Sequence, residues 1–182
     1  MGKEAWGSIF RPDGVMSLRG TKHDGIFIGL LVEDKHRLEL VGAGFDGFYT
    51  YFASDGFSYG SSSRHWGALS QYAQNNGLLF VPSAGPGYID VRVRPWNARN
   101  TKQRENGAYY EQSLKAAVAI APPIISITSF NEWHEGTQIE MAVPHKDGTF
   151  TYQDYSPMGP DFYLSLTRKW SFKYKNILRG KI

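Results

Sequence analysis

Two carboxylates three residues apart, Glu132 and Glu135, stand with Asn131, Trp133 and His134 at the end of the run Ile125-Ser126-Ile127-Thr128-Ser129-Phe130. The run reads as a buried strand, because Ile125 and Ile127 are β-branched and small hydroxyl residues lie between them. No strand core needs the polar cluster that follows. α/β enzymes present their chemistry in this way, on side chains just past the carboxyl end of a strand. Paired carboxylates at close range suit glycoside hydrolysis, in which one donates a proton to the leaving oxygen and the other acts as nucleophile or base. In an extended strand, residues three apart point to opposite faces. Both carboxylates can therefore meet one ligand only if the chain bends between them, and Gly136 permits a bend. The competing arrangement is a surface helical turn with a solvated Glu-x-x-Glu pair, which on spacing alone is the commoner one.

Other chemistries fit less well. His134-Glu135 begins like the His-Glu-x-x-His zinc motif, but the residue four beyond His134 is Gln138. Gly85-Pro86-Gly87 follows a strand-like run, yet it matches no phosphate-binding glycine pattern, and proline removes a backbone donor. No metal and no cofactor is expected.

The elements that must position the cluster follow in order. Residues 4–10 read as the end of a short helix, and Ile26–Val32 as a strand buried on both faces, which favours a parallel sheet. Residues 33–41 form a short helix that stops near Gly42 and Gly44. A second strand covers 48–52. Residues 64–76 are helical, with Trp66, Leu69 and Tyr72 on one face. The third strand covers 78–82, and a long loop then carries Arg94-Pro95-Trp96-Asn97. Residues 105–120 make the best helix, which Pro122-Pro123 ends. After the key strand another loop runs to Pro160, and Asp161 caps a last helix. Alternation of strand and helix predicts a parallel α/β fold. Long loops after strands and short ones after helices fit a (β/α) barrel of the TIM type. Only about four βα units are present where a complete barrel has eight, so the expectation is an open sheet or a half barrel.

The 182 residues suffice for one core, with 41% hydrophobic and 20% charged residues. Aromatic residues reach 15%, many of them in loop-like segments, where their faces could pack on the C–H faces of sugars. The net charge is +3, and the basic positions Arg168, Lys169, Lys173, Lys175, Arg179 and Lys181 read as a solvated helix face, not a nucleic-acid patch. Cysteine is absent, so disulfides and cysteine-held zinc are excluded. No apolar run is long enough to span a membrane, and Met1–Trp6 does not read as a signal peptide.

Ser126-Ile127-Thr128-Ser129-Phe130-Asn131-Glu132-Trp133-His134-Glu135-Gly136-Thr137-Gln138-Ile139-Glu140 resembles the signature of the endo-α-1,2-mannosidases of glycoside hydrolase family 99. The segments Gly44–Ala53, Pro82–Asp90 and Arg94–Asn97 agree with it, and the resemblance covers nearly the whole chain. It implies a (β/α)8 barrel and a retaining hydrolase that releases glucosylated mannose from high-mannose N-glycans at an internal α-1,2 bond. Glu135 resembles the general acid/base. Glu132 resembles the residue that deprotonates the sugar's own 2-hydroxyl, giving a 1,2-anhydro sugar intermediate. Tyr51, Arg94, Asn131 and His134 match positions that line the cleft and hold sugar hydroxyls. The implied partner is a high-mannose oligosaccharide or N-glycoprotein, and the implied location is the Golgi. Residues 1–182 then correspond to the C-terminal part of a single catalytic domain. The family's front half of the barrel and its membrane anchor have no counterpart in these residues. The alternative is a non-catalytic truncated or lectin-like fragment of such an enzyme.

Overall fold

A computed structural model describes residues 2–180, so Lys181 lies outside the described residues. Four short parallel strand positions carry the chain. Strand β1 (Ile28–Leu30) pairs with β2 (Gly47–Tyr49), and β2 pairs with β3 (Leu79–Val81). Pro82 has no N–H to give to a ladder. The third strand breaks there and resumes as β4 (Ser83–Ala84), which pairs with β5 (Ser126–Ile127). Parallel neighbours need long crossovers, and these contain helices α2 (His36–Gly42), α3 (Trp66–Asn75) and α4 (Ala108–Ala119). Helix α1 (Lys3–Phe10) precedes the first strand and α5 (Phe162–Arg179) follows the last. The fold is α/β with a parallel sheet.

Helical periodicity sets the buried faces. Trp66, Leu69 and Ala73 of α3 fall at i, i+3 and i+7, and they pack with Leu31, Phe48, Phe80 and Ala117. Tyr110 and Leu114 of α4 join Ala84, Ile139, Tyr155, Tyr163 and Leu166 in a second cluster that seats α5 under the last strand. The basic residues of α5 from Arg168 to Arg179 are exposed, as a solvated face requires. Arg19 ties down the loop before β1: its guanidinium donates to the carbonyls of Phe10 and Gly44 and to Asp46.

Several expectations are corrected. Ile26–Val32 is not buried on both faces: β1 is three residues long and has one neighbouring strand, and Ile26 is 71% exposed. The reason is its place at the edge of the parallel run, where no described element covers the far side. Helix α2 buries no residue fully, and Leu38 faces solvent. An open apolar hollow of about 590 Å³ lies here, walled by Trp6, Phe27, Ile28, Leu40 and Phe45. The span before Pro160 is not all loop. It holds an antiparallel hairpin of β6 (Lys146–Asp147) and β7 (Phe150–Thr151), turned at Gly148. Asp161 occupies the N-cap position of α5 but makes no side-chain cap bond; its carboxylate instead accepts from the Ser165 hydroxyl.

Gly44 closes α2 with φ at +82°, and a Cβ there would lie 2.7 Å from the Phe10 carbonyl oxygen. Gly44→Ala should therefore lower unfolding stability by about 2–3 kcal/mol. Gly67 sits inside α3 with nothing within 4 Å of its would-be Cβ. Gly67→Ala should raise stability by up to about 1 kcal/mol. Denaturant titration of the two variants checks the opposite signs.

Candidate active site

The carboxyl ends of β2, β4 and β5 open on one side, and the three segments that follow them build the site. After β2, Tyr51 adopts φ +61°, a left-handed conformation rare for an aromatic residue. Neighbouring strands hold it there. Its N–H donates to Ser83 Oγ at 2.7 Å, and its carbonyl accepts from the Thr128 hydroxyl. Strain of this kind costs about 1–3 kcal/mol and persists only where the surroundings enforce it.

The segment after β4 is folded by paired backbone bonds between Tyr88 and Lys102 and by a 3-10 turn over Pro95–Asn100. These features place Asp90 under the site with its side chain fully buried. Asp90 accepts from the Tyr88 hydroxyl at 2.8 Å, from Asn97 Nδ2 at 3.0 Å and from Arg94 Nη1 at 3.0 Å. Burial works to raise its pKa, but the bonds from Asn97, Tyr88 and Arg94 outweigh burial and hold the carboxyl below its ordinary 3.8. Arg94 Nη1 also donates to Glu135 Oε1 at 2.9 Å. The two carboxylates, Asp90 first, hold the guanidinium even more firmly charged than usual.

After β5 the chain bends as the two carboxylates require. Glu132 N–H donates to Ser129 Oγ, and Thr137 N–H returns to the Glu132 carbonyl at 3.1 Å. A turn over 133–136 follows, with Gly136 at φ +60°. The Glu135 carbonyl accepts from Ile89 N–H at 2.8 Å, which binds this turn to the Asp90 segment. Neither glutamate lies on a helix, so the solvated helical pair is not what forms.

Tyr51, Arg94 and Glu135 line one cavity of about 420 Å³, together with Tyr88, Asn97 and Thr128. Phe52, Phe57 and Trp96 supply apolar faces, and Trp96 is 79% exposed. A few fixed polar groups among aromatic rings is the usual make-up of a small-molecule site. Glu132 is exposed on the same turn, with Oε1 3.2 Å from His134 N–H. It is not itself among the cavity-lining residues; burial first, then the charges of Glu135 and Glu132, push the Tyr51 phenol above its ordinary value. Asn131 and His134 are exposed and are not among the cavity-lining residues. His134 Nδ1 is 3.4 Å from both Arg92 Nη1 and the Tyr152 hydroxyl, on the side of the hairpin.

A model for the family described as glycosyl hydrolase family 99 matches residues 1–176. The chain belongs to this family. Among family 99 proteins, it is 57% identical to a glycoprotein endo-alpha-1,2-mannosidase of Xenopus laevis over 169 residues, which is 93% of this chain and 38% of that protein. It is 56% identical over 168 residues to a human glycoprotein endo-alpha-1,2-mannosidase-like protein, covering 92% of this chain and 37% of that one. The GH99 endo-alpha-mannosidase from Bacteroides thetaiotaomicron, in complex with bis-tris propane, superimposes with a TM-score of 0.95 at 46% identity. That match covers 98% of this chain and 55% of that one. The chain thus spans well under half the length of these curated relatives.

Sequence reading did not single out Asp90, Tyr88, Asn97 or Phe57. Asp90, Tyr88 and Asn97 fall inside the segments that carry the family resemblance, and that was the available signal. A loop aspartate shows its value only once three donors converge on it.

The lowered pKa of Asp90 has a stability consequence. Its folded-state value lies below the unfolded one, so its contribution is complete above about 3.8 and is lost as pH falls through the folded value. Asp90→Asn should thus be destabilising at pH 7, with the gap to wild type shrinking below pH 3.8. Unfolding titrations of both proteins across that range check the trend.

Proposed function

We propose that this chain is the carboxylate-bearing part of a retaining endo-α-1,2-mannosidase that cuts internal α-1,2-mannosidic bonds of high-mannose N-glycans. The observation that carries the reading is the Arg94–Glu135 ion pair in an aromatic-lined cavity, on a turn that also bears Glu132. The relatives' names supply the substrate class.

In this reading Glu132 takes the proton of the sugar's 2-hydroxyl as that oxygen attacks the anomeric carbon. Glu135 gives its proton to the departing glycosidic oxygen as the C–O bond breaks. A 1,2-anhydro sugar results, with inversion. Water then attacks the anomeric carbon, Glu135 takes its proton, and Glu132 returns the first proton to O2. Two inversions give net retention. The ion pair holds Glu135 as a carboxylate, the form that takes the proton of water in the second step; to act as acid in the first it must carry a proton with the Arg94 bond released, while Arg94 keeps Asp90. Tyr51 and the exposed rings of Phe57 and Trp96 suit the C–H faces and hydroxyls of flanking sugars. Asn131 and His134, exposed on either side of Glu132, are assigned to contacts with outer sugar hydroxyls. A Golgi location is proposed on the family resemblance alone.

We read the four βα units as half of a TIM-type barrel, within a single catalytic domain. The 55% coverage of the bacterial enzyme and the uncovered hollow beside β1 support this. The same hollow favours a second reading, a glycan-binding fragment without turnover. Incubating the 182-residue chain with a glucosylated high-mannose glycan separates the two. Release of a glucosylated mannose unit supports the hydrolase, and binding without release supports the fragment.

In an active enzyme, Glu135→Gln should slow cleavage of substrates with poor leaving groups by about 10²–10⁴-fold. It should cost far less with an activated aryl leaving group, which needs no proton. Glu132→Gln should abolish turnover of both, and a 2-deoxy substrate should not be cleaved. Normal turnover of the 2-deoxy sugar would return Glu132 to the role of direct nucleophile.

A further inference from the structure

Arg104 is 6% exposed, and among the described residues it forms no ion pair. Its charge is spent instead on backbone carbonyls. Nη2 donates to the Gly136 oxygen at 2.9 Å and to the Gln138 oxygen at 2.8 Å, and Nε donates to Gln153 Oε1 at 3.2 Å. The guanidinium lies over the rings of Tyr163 and Tyr155, 4.6 and 5.2 Å from their centroids. Nη1 is buried without a partner. Removing a cation from water without a carboxylate to meet it is costly, so the two carbonyls it reaches are the informative feature. Gly136 directly follows Glu135, and Gln138 begins the exit from the same turn.

The surroundings leave little slack. A Cβ on Gly136 would lie 3.0 Å from Gln153 Oε1, the acceptor of Arg104 Nε, and 3.3 Å from Ile89 N. The Glu135 carbonyl is already held by Ile89. Arg104 therefore fixes the turn from below while Ile89 fixes it from the side of Asp90.

We propose that Arg104 is a positioning residue for the carboxylate turn, acting through the Gly136 and Gln138 carbonyls to set where Glu135 meets the leaving oxygen. This rests on the hydrolase reading for its catalytic consequence, but the anchoring itself does not. A 1 Å misplacement in an active site can cost on the order of 100-fold in rate.

The test uses Arg104→Met, which keeps the stem and removes every donor, and Arg104→Lys, which restores charge and a single point donor. Hydrogen exchange of the 182-residue chain is read by peptide. In Arg104→Met, exchange over 132–139 should speed about 10-fold or more while α4 and α5 keep their protection; Arg104→Lys should lie between. In an enzyme shown to be active, Arg104→Met should lower kcat about 10–100-fold with KM little changed. The deficit should shrink on an activated aryl substrate, because the error lies in the acid. Unchanged exchange over 132–139 would overturn the proposal. So would loss of protection spread equally over α4 and α5, which marks a general core role. If Arg104→Met does not fold, wild-type exchange over 132–139 in Arg104→Lys also overturns it. Absence of turnover in the parent protein would count against the hydrolase reading and leave the exchange result standing.

Discussion

The site depends on a fully buried carboxylate. Asp90 has no contact with water, so its charge must be met by protein donors, and Tyr88, Asn97 and Arg94 supply them. Arg94 is thereby committed at one end, and the same nitrogen that meets Asp90 meets Glu135. The three groups form a line of alternating charge from the interior to the cavity. Removing the middle one would leave two carboxylates facing each other across its place. That is why the loop after β4, although irregular, is held by a bridge, a 3-10 turn and several side-chain bonds.

A parallel sheet makes this arrangement possible. Strands β1 to β5 all point one way, so the segments after β2, β4 and β5 meet at the same end. Tyr51, Arg94 and Glu135 are 84 positions apart at the extremes, yet they line one wall. At the opposite ends the helix-to-strand link before β2 is tied down by Arg19, which donates to the Gly44 carbonyl and to Asp46. Chemistry and stability thus lie on separate faces, as parallel α/β architecture allows.

Much of this was legible in the sequence, and the reasons differ by element. The helical stripes of α3 and α4 were readable because apolar spacing directly encodes a buried face. The carboxylate turn was readable because its residues have no place in a strand core. Burial of β1 was misread: an apolar run states what could be covered, and the described residues do not cover it. The hairpin after Ala142 was missed because its two-residue strands are too short for alternation to register. Asp90 and Arg104 were missed as functional for a deeper reason. The donors of Asp90 lie 2, 4 and 7 positions away in an irregular loop that has no period to reveal them, and the carbonyls that Arg104 reaches lie 32 and 34 positions away, where spacing along the chain carries no trace of them.

The interruption at Pro82 has a wider meaning. Where the ladder lapses, side-chain hydroxyls take over. Ser83 Oγ stands 2.6 Å from Ser126 Oγ and also accepts the Tyr51 N–H, Ser83 N–H reaches Thr50 Oγ1, and the Thr128 hydroxyl meets the Tyr51 carbonyl. Four small alcohols stitch three strands together directly beneath the cavity. Alanine or valine at such a position would match in size yet strand a buried backbone group without a partner. The tolerance of this layer to change is therefore set by hydrogen-bonding valence and not by volume, and the floor of the cavity behaves as part of the site it supports.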